Sequence, residues 1–284
     1  IPDEPEIELF DGFMSRMVLG NALELQVGVP TAAMEDWTGT YAEVTFKGET
    51  TVVPFEEWSA AGPYYALTVR TAAKEMNEEV TVQIFNSEGQ AVSVEYTDSI
   101  RGYAERNYAG FSDKDKTLLV DMLNYGAAAQ VYFDYMTDEL ANEGLTEEQQ
   151  AMATEKVECT NGLVKGENYL GSRLVLKSNL SLQLAFKNVD ESCYAVYTYT
   201  NHYGKAKTVT VDGADFIDGY GVELSELVLA DAKQLVTCTV YNEEGEAIAS
   251  VTDSVESYVA RMSGKSDLHD AIMKFATSAY NKFH

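Results

Sequence analysis

Six side chains have types and settings suited to ligand contact. Trp37 lies in the polar stretch Glu35-Asp36-Trp37-Thr38-Gly39. Trp58 and Tyr64 lie in the irregular stretch from Phe55 to Tyr64, which contains Gly62 and Pro63. His202 and Tyr203 form the tip of Asn201-His202-Tyr203-Gly204, and Tyr220 stands between Gly219 and Gly221. A flat ring in a loop presents a large contact area at low entropic cost. Sugars offer apolar C–H faces to such rings, while their hydroxyls require amide and carboxylate partners. These six residues are therefore the expected ligand contacts, through stacking. The alternative for each is that it folds back to cap its own core.

Other chemistry lacks a pattern. The histidines are His202, His269 and His284, and none falls at a metal-ligand spacing. His269 opens a helix and is expected to be solvated. Asp212-Gly213-Ala214-Asp215-Phe216-Ile217-Asp218-Gly219 resembles a calcium loop only superficially. Its acidic residues are spaced by three and no glutamate closes it, so an acidic turn is expected and no metal. Cys159, Cys193 and Cys238 make an odd set without C-x-x-C spacing, and Cys193 and Cys238 are expected to be buried thiols. No nucleophile elbow, P-loop or dinucleotide fingerprint occurs. Close carboxylate pairs are unavoidable among 46 acidic residues, but nothing marks two as glycosidase acids. The expectation is a non-enzyme with no cofactor.

The elements that hold these residues come in two copies. Ser15-Arg16-Met17-Val18-Leu19 returns as Ser172-Arg173-Leu174-Val175-Leu176. Leu23, Leu25, Val27 and Val29 correspond to Leu180, Leu182, Leu184 and Phe186, each set alternating as a half-buried strand does. Ala42, Val44 and Phe46 correspond to Ala195, Tyr197 and Tyr199. Val80–Asn86 and Val236–Asn242 each precede a hairpin turn with Gly89 or Gly245. Return strands begin at Ala91 and Ala247. Asp98 and Asp253 then stand at expected helix N-caps, with Glu256 completing a capping box.

A longer helix follows in each copy. Ser112 and Asp115 form an expected cap pair, and Leu119, Met122, Leu123, Gly126, Ala129 and Phe133 share one face. The second stripe is Leu268, Ile272, Phe275, Ala276, Ala279 and Phe283. The small residues predict close approach of each helix to its own sandwich. Tyr103, Tyr132, Tyr258 and Tyr280 fall at core spacing on helices, and Tyr65, Tyr197 and Tyr199 on strands. Thr146-Glu147-Glu148-Gln149 opens a short helix to about Glu155.

The expected fold class is α+β, mainly β: two tandem repeat lobes, each an antiparallel β-sandwich with appended amphipathic helices. The expected boundaries are a linker over 1–14, lobe 1 over 15–155 and lobe 2 over 156–284. The 284 residues suit two domains. The net charge of −26 repels nucleic acid and anionic lipid and suits a neutral ligand. No apolar run approaches the roughly 18 residues of a membrane span. Ile1-Pro2-Asp3-Glu4-Pro5-Glu6 reads as linker, and the chain as a segment of a larger secreted multidomain protein.

Asp98-Ser99-Ile100-Arg101-Gly102-Tyr103-Ala104, followed by Met122-Leu123-Asn124-Tyr125-Gly126-Ala127-Ala128-Ala129-Gln130, is similar to a module of secreted proteins from gut clostridia. With the duplication, the chain resembles the non-catalytic, bilobed starch adherence system proteins of amylosomes. The motif is a packing signature, and in the second copy Lys274-Phe275-Ala276-Thr277 keeps only its spacing. The resemblance implies a non-catalytic module at the cell surface that binds α-1,4-glucan, as polysaccharide or maltooligosaccharides. A protein-interaction or scaffolding module is the alternative.

Overall fold

The computed structural model describes residues 8–20, 22–262 and 264–284. It is mainly β, with antiparallel sheets and few helices, and it divides into two compact units.

The first unit gathers Leu23–Thr71 and Glu75–Ala109 with strand β1. Its strands are β1 (Met14–Leu19), β2 (Leu23–Pro30), β3 (Tyr41–Phe46), β4 (Glu49–Pro54), β5 (Ser59–Ala61), β6 (Tyr64–Thr71), β7 (Val80–Phe85) and β8 (Tyr96–Asp98), followed by helix α1 (Ile100–Asn107). They form two sheets, in the orders β1-β2-β6-β5 and β4-β3-β7-β8. Alternation buries Leu25, Val27 and Val29 from one sheet and Ala42, Val82 and Ile84 from the other. The sheets are tied where Tyr96 Oη donates to Ser15 Oγ at 3.2 Å. The return strand from Ala91 is interrupted: Ala91 and Ser93 make isolated bridges before β8. The Ser93 hydroxyl supplies the missing ladder contact, accepting from Ile84 N at 2.9 Å.

The second unit gathers Gly110–His284 with two short excursions from the earlier chain. It opens with α2 (Asp113–Phe133) and α3 (Glu147–Gln150). Strands β9 (Val164–Lys165), β10 (Tyr169–Leu176), β11 (Leu180–Phe186), β12 (Tyr194–Thr200), β13 (Ala206–Asp212), β14 (Gly221–Leu224), β15 (Val236–Tyr241) and β16 (Ala247–Asp253) follow, then α4 (Val255–Met262) and α5 (Asp267–Phe283). The sheet orders are β10-β11-β14 and β13-β12-β15-β16-β9. The buried Tyr197 bridges them by donating from Oη to Val222 O at 2.8 Å.

Packing divides the chain near Gly110, earlier than the expected boundary at 155/156. Helix α2 belongs with the second unit because it packs lengthwise on α5. Tyr125 meets Phe275 at 5.8 Å between ring centroids, and Lys282 pairs with Asp115, so the helices run antiparallel. The small residues Gly126, Ala129, Ala276 and Ala279 are buried on this helical pair.

Motif residues on α2 hold the segment that follows it. Gln130 donates to Glu139 O at 3.0 Å and accepts from Ala141 N at 2.8 Å. Asn124 accepts from Asn142 at 2.8 Å, and Asp121 accepts from Thr154 N at 2.9 Å. Burial raises the Asp121 carboxyl above its ordinary value, against the opposing effect of the Thr154 hydrogen bonds.

Several local expectations shift. The caps are Ser99 and Ser254, one residue later than expected: Ser99 Oγ accepts from Gly102 N and Ser254 Oγ from Ser257 N, both at 2.9 Å. Position three of that helix is therefore Ser257, and Glu256 does not complete a box. The two aspartates are instead buried partners of arginines. Arg106 grips Asp98 through Nη1 and Nη2 at 2.9 and 2.5 Å. Arg261 grips Asp253 at 3.0 and 2.7 Å and also reaches Ser172 Oγ at 2.8 Å. The capping box at Thr146 is present, but α3 stops at Gln150. Of the expected linker 1–14, residues 1–7 lie outside the described residues. Phe10 bridges Ser93, and Phe13 stacks on Tyr96 at 5.3 Å. Cys193 and Cys238 are buried free thiols. Among the described residues no helix is long and apolar enough to cross a membrane.

Candidate functional site

The six expected contact residues have different settings. Trp37 and Trp58 are 7% and 8% exposed. Each indole N–H is satisfied by a nearby carbonyl, Thr31 O at 3.3 Å and Val53 O at 3.1 Å. The rings meet at 5.7 Å, and Trp37 also stacks on Phe55 at 5.5 Å and abuts Tyr65 at 5.3 Å. Neither offers a free face. The reason is local: Pro30 and Pro54 each lead into a 3-10 turn that folds the loop back over the sheet end. Tyr64 lies half-buried on β6, with its ring over Gly28. A Cβ at Gly28 would sit 3.3 Å from the ring atoms, so glycine permits this packing.

His202 is buried beside an equally buried Asp231, with Nδ1 to Oδ1 at 2.6 Å. The same carboxylate oxygen accepts from His202 N at 2.6 Å. His202 is thus a support, and Tyr203 rests on it at 3.9 Å between centroids. The Tyr203 ring is 55% exposed and lies 6.4 Å from the exposed ring of Phe283. Tyr220 is 47% exposed. The structure does not bring these two tyrosines together. Tyr203 follows β12 in the turn after Thr200, whereas Tyr220 precedes β14, and its carbonyl accepts from Phe186 N on β11 at 3.0 Å.

A concavity of the second unit has no counterpart among the residues that the sequence pattern singles out. It is a groove of about 650 Å³ along α2 and α5. Tyr132, 56% exposed, stands on its wall. Asn124 and Asn142 contribute amides from one side; Asp267, Asp270, Lys265 and Lys274 contribute charges from the other. Helical spacing had assigned Tyr132 and Tyr280 to the core, yet both are exposed. Tyr132 falls beside the arc occupied by Leu119, Met122, Gly126 and Ala129, and this offset was the available signal. By contrast, the strand tyrosines Tyr197 and Tyr199 are buried as expected.

A second hollow of about 370 Å³ adjoins the groove and shares Tyr132 and Leu268 with it. His269 lines this hollow and is buried, not solvated. Burial holds its imidazole below the usual value, so the ring is neutral at neutral pH. Among the described residues, no cluster of three His, Cys, Asp or Glu is placed to hold a metal ion.

Neither a protein-family model nor a curated protein matches the chain. Among solved structures, a two-domain fibronectin type III segment from chicken tenascin aligns over 84% of this chain and 95% of its own, with 11% identity and a TM-score of 0.20. A likeness that low says nothing further about this chain.

Proposed function

We propose that the chain is a non-catalytic glycan-binding module and that the α2/α5 groove receives a neutral α-1,4-glucan. The carrying observation is the exposed ring of Tyr132 beside amide and carboxylate side chains in one groove. A ring meets the apolar face of a sugar, and Asn142, Asp267 and Asp270 meet its hydroxyls. Tyr203 is a further platform, held from behind by His202 and Asp231; a ring already immobilised loses little freedom on binding. Tyr220 is a third, separate one. The resemblance of the duplicated chain to starch adherence system proteins supports the choice of glucan and an extracellular, cell-surface setting within a larger protein.

The same reading makes the two sandwiches, each with the short helix that follows it (α1 or α4), copies of one unit. Its support is the matching strand order, β1-β2-β6 with β10-β11-β14 and β4-β3-β7-β8 with β13-β12-β15-β16. The matching Ser–Asp–Arg sets add to it: Ser15, Asp98 and Arg106 against Ser172, Asp253 and Arg261.

Calorimetry with maltooligosaccharides tests the reading. Tyr132→Ala weakens binding about ten- to a hundredfold, the range of an aromatic stacking contact. Added salt changes little, because a neutral ligand displaces no counterions. A folded Tyr132→Ala protein that binds like the parent removes the groove from the account. The exposed run Val131-Tyr132-Phe133 favours a second reading, a protein-interaction surface, which takes over if the parent ignores starch and its fragments.

A further inference from the structure

The hollow beyond Tyr132 and Leu268 carries hydrogen-bonding groups that the fold itself leaves unused. His269 lines it and is 7% exposed, and its Nδ1 is buried without a hydrogen-bond partner among the described residues. A buried polar atom in that state costs stability until something supplies the missing bond. Arg173 lines the same hollow from β10. Its Nε donates to Gln183 Oε1 on β11, which fixes the guanidinium, and Nη1 and Nη2 have no partner among the described residues. Among the described residues no carboxylate lines this hollow, whereas Asp267 and Asp270 line the groove. A hydroxyl suits this set, because it can accept from the guanidinium and either donate to or accept from the imidazole. A carboxylate suits it less. It would favour a charged imidazole, which burial opposes, and it would meet the field of a net charge of −26.

We propose that this hollow is a second sugar subsite, continuous with the α2/α5 groove, in which His269 and Arg173 bind the hydroxyls of the next residue of a glucan that passes Tyr132. The proposal rests on the glycan-binding reading and extends its site. Each inner residue of an α-1,4-glucan has a pair of adjacent secondary hydroxyls, and the terminal nitrogens of one guanidinium can donate to both. Tyr132 and Leu268 line both parts, so one chain can occupy them in succession.

The test is calorimetry on the full chain with maltose and maltotetraose, in the parent, Arg173→Met and His269→Leu. The parent should bind maltotetraose about tenfold or more tightly than maltose, a step equal to one further set of sugar contacts. Arg173→Met and His269→Leu should each bring that ratio down to the few-fold advantage that a longer chain gains from its extra registers alone. Arg173 is exposed, so its substitution tests the subsite even if the buried one disturbs the fold, which thermal unfolding reports. A parent ratio of only a few-fold overturns the proposal and leaves the glycan reading standing. A parent-like ratio retained by folded Arg173→Met also overturns it. If neither sugar binds the parent, the proposal and the glycan reading both fail.

Discussion

Replacing Arg261 with methionine isolates the stability of the second unit. The Asp253 carboxylate is fully buried and Arg261 is 24% exposed, so methionine removes the counter-charge and leaves an acid that water does not reach. Ser172 and Asn161 lose a donor in the same step. Breaking a buried pair from one side costs about 3–5 kcal/mol. With a urea slope of about 2 kcal/mol per molar, the midpoint falls by about 2 M. The Arg106 side chain is 52% exposed, so water replaces part of what Asp98 loses, and Arg106→Met should cost roughly half as much. Two probes separate these effects. The chain has 2 tryptophans, Trp37 and Trp58, both in the first unit. The long helices α2 and α5 belong to the second. Tryptophan emission therefore follows one unit, and far-ultraviolet circular dichroism is weighted to the other. Arg261→Met should move the dichroism transition and leave the emission transition in place; Arg106→Met should do the reverse. Equal movement of both signals in either variant, or movement of neither, refutes the reasoning. Asp253→Asn added to Arg261→Met should recover a substantial part of the loss, because no buried charge then remains.

Asp121→Asn should flatten the dependence of stability on pH. The folded value of Asp121 lies above its unfolded value, so its favourable contribution is complete below the unfolded value and is lost as pH rises through the folded one. The variant should gain on the parent in urea midpoints as pH rises above the unfolded value of about 4, and a loss growing with pH would contradict this. A fragment spanning 110–284 should unfold cooperatively, whereas one spanning 156–284 lacks α2 and should show no sharp transition by calorimetry. Cys238 is buried and its thiol is pushed up to about 12, so it should resist a thiol reagent at mildly alkaline pH until the protein is unfolded. Mass spectrometry of the labelled native protein should find any modification at the part-exposed Cys159 first.

What the sequence made legible was mostly local. Alternation at Leu25 and Val27, or Leu182 and Leu184, reports which face of a strand is buried, because side chains on a strand alternate by construction. Gly89 and Gly245 adopt φ of +79° and +77°, and a turn demanding that backbone names its own residue. Where two neighbours suit one role, a distant partner decides. Both Asp98 and Ser99 suit a cap, but Arg106 claims the carboxylate and leaves the hydroxyl to the helix. Trp37 and Trp58 occupy polar, irregular segments, and only the folded path after Pro30 and Pro54 shows their rings turned inward. The pairing of α2 with α5 joins segments far apart in sequence, and no spacing within either helix names its partner. The exposed position of Tyr132 in a groove is visible only through this pairing.

That pairing has a consequence for synthesis. About 150 residues separate the ends of α2 and α5. At the usual pace of translation, α2 waits roughly 10–30 s for the helix that covers it. The first sandwich can close around its own core in that interval, while Leu118, Leu119, Met122 and Leu123 stay uncovered. The nascent chain is thus most adhesive in its middle, after half of it has folded, and that is where a holding chaperone would find a foothold.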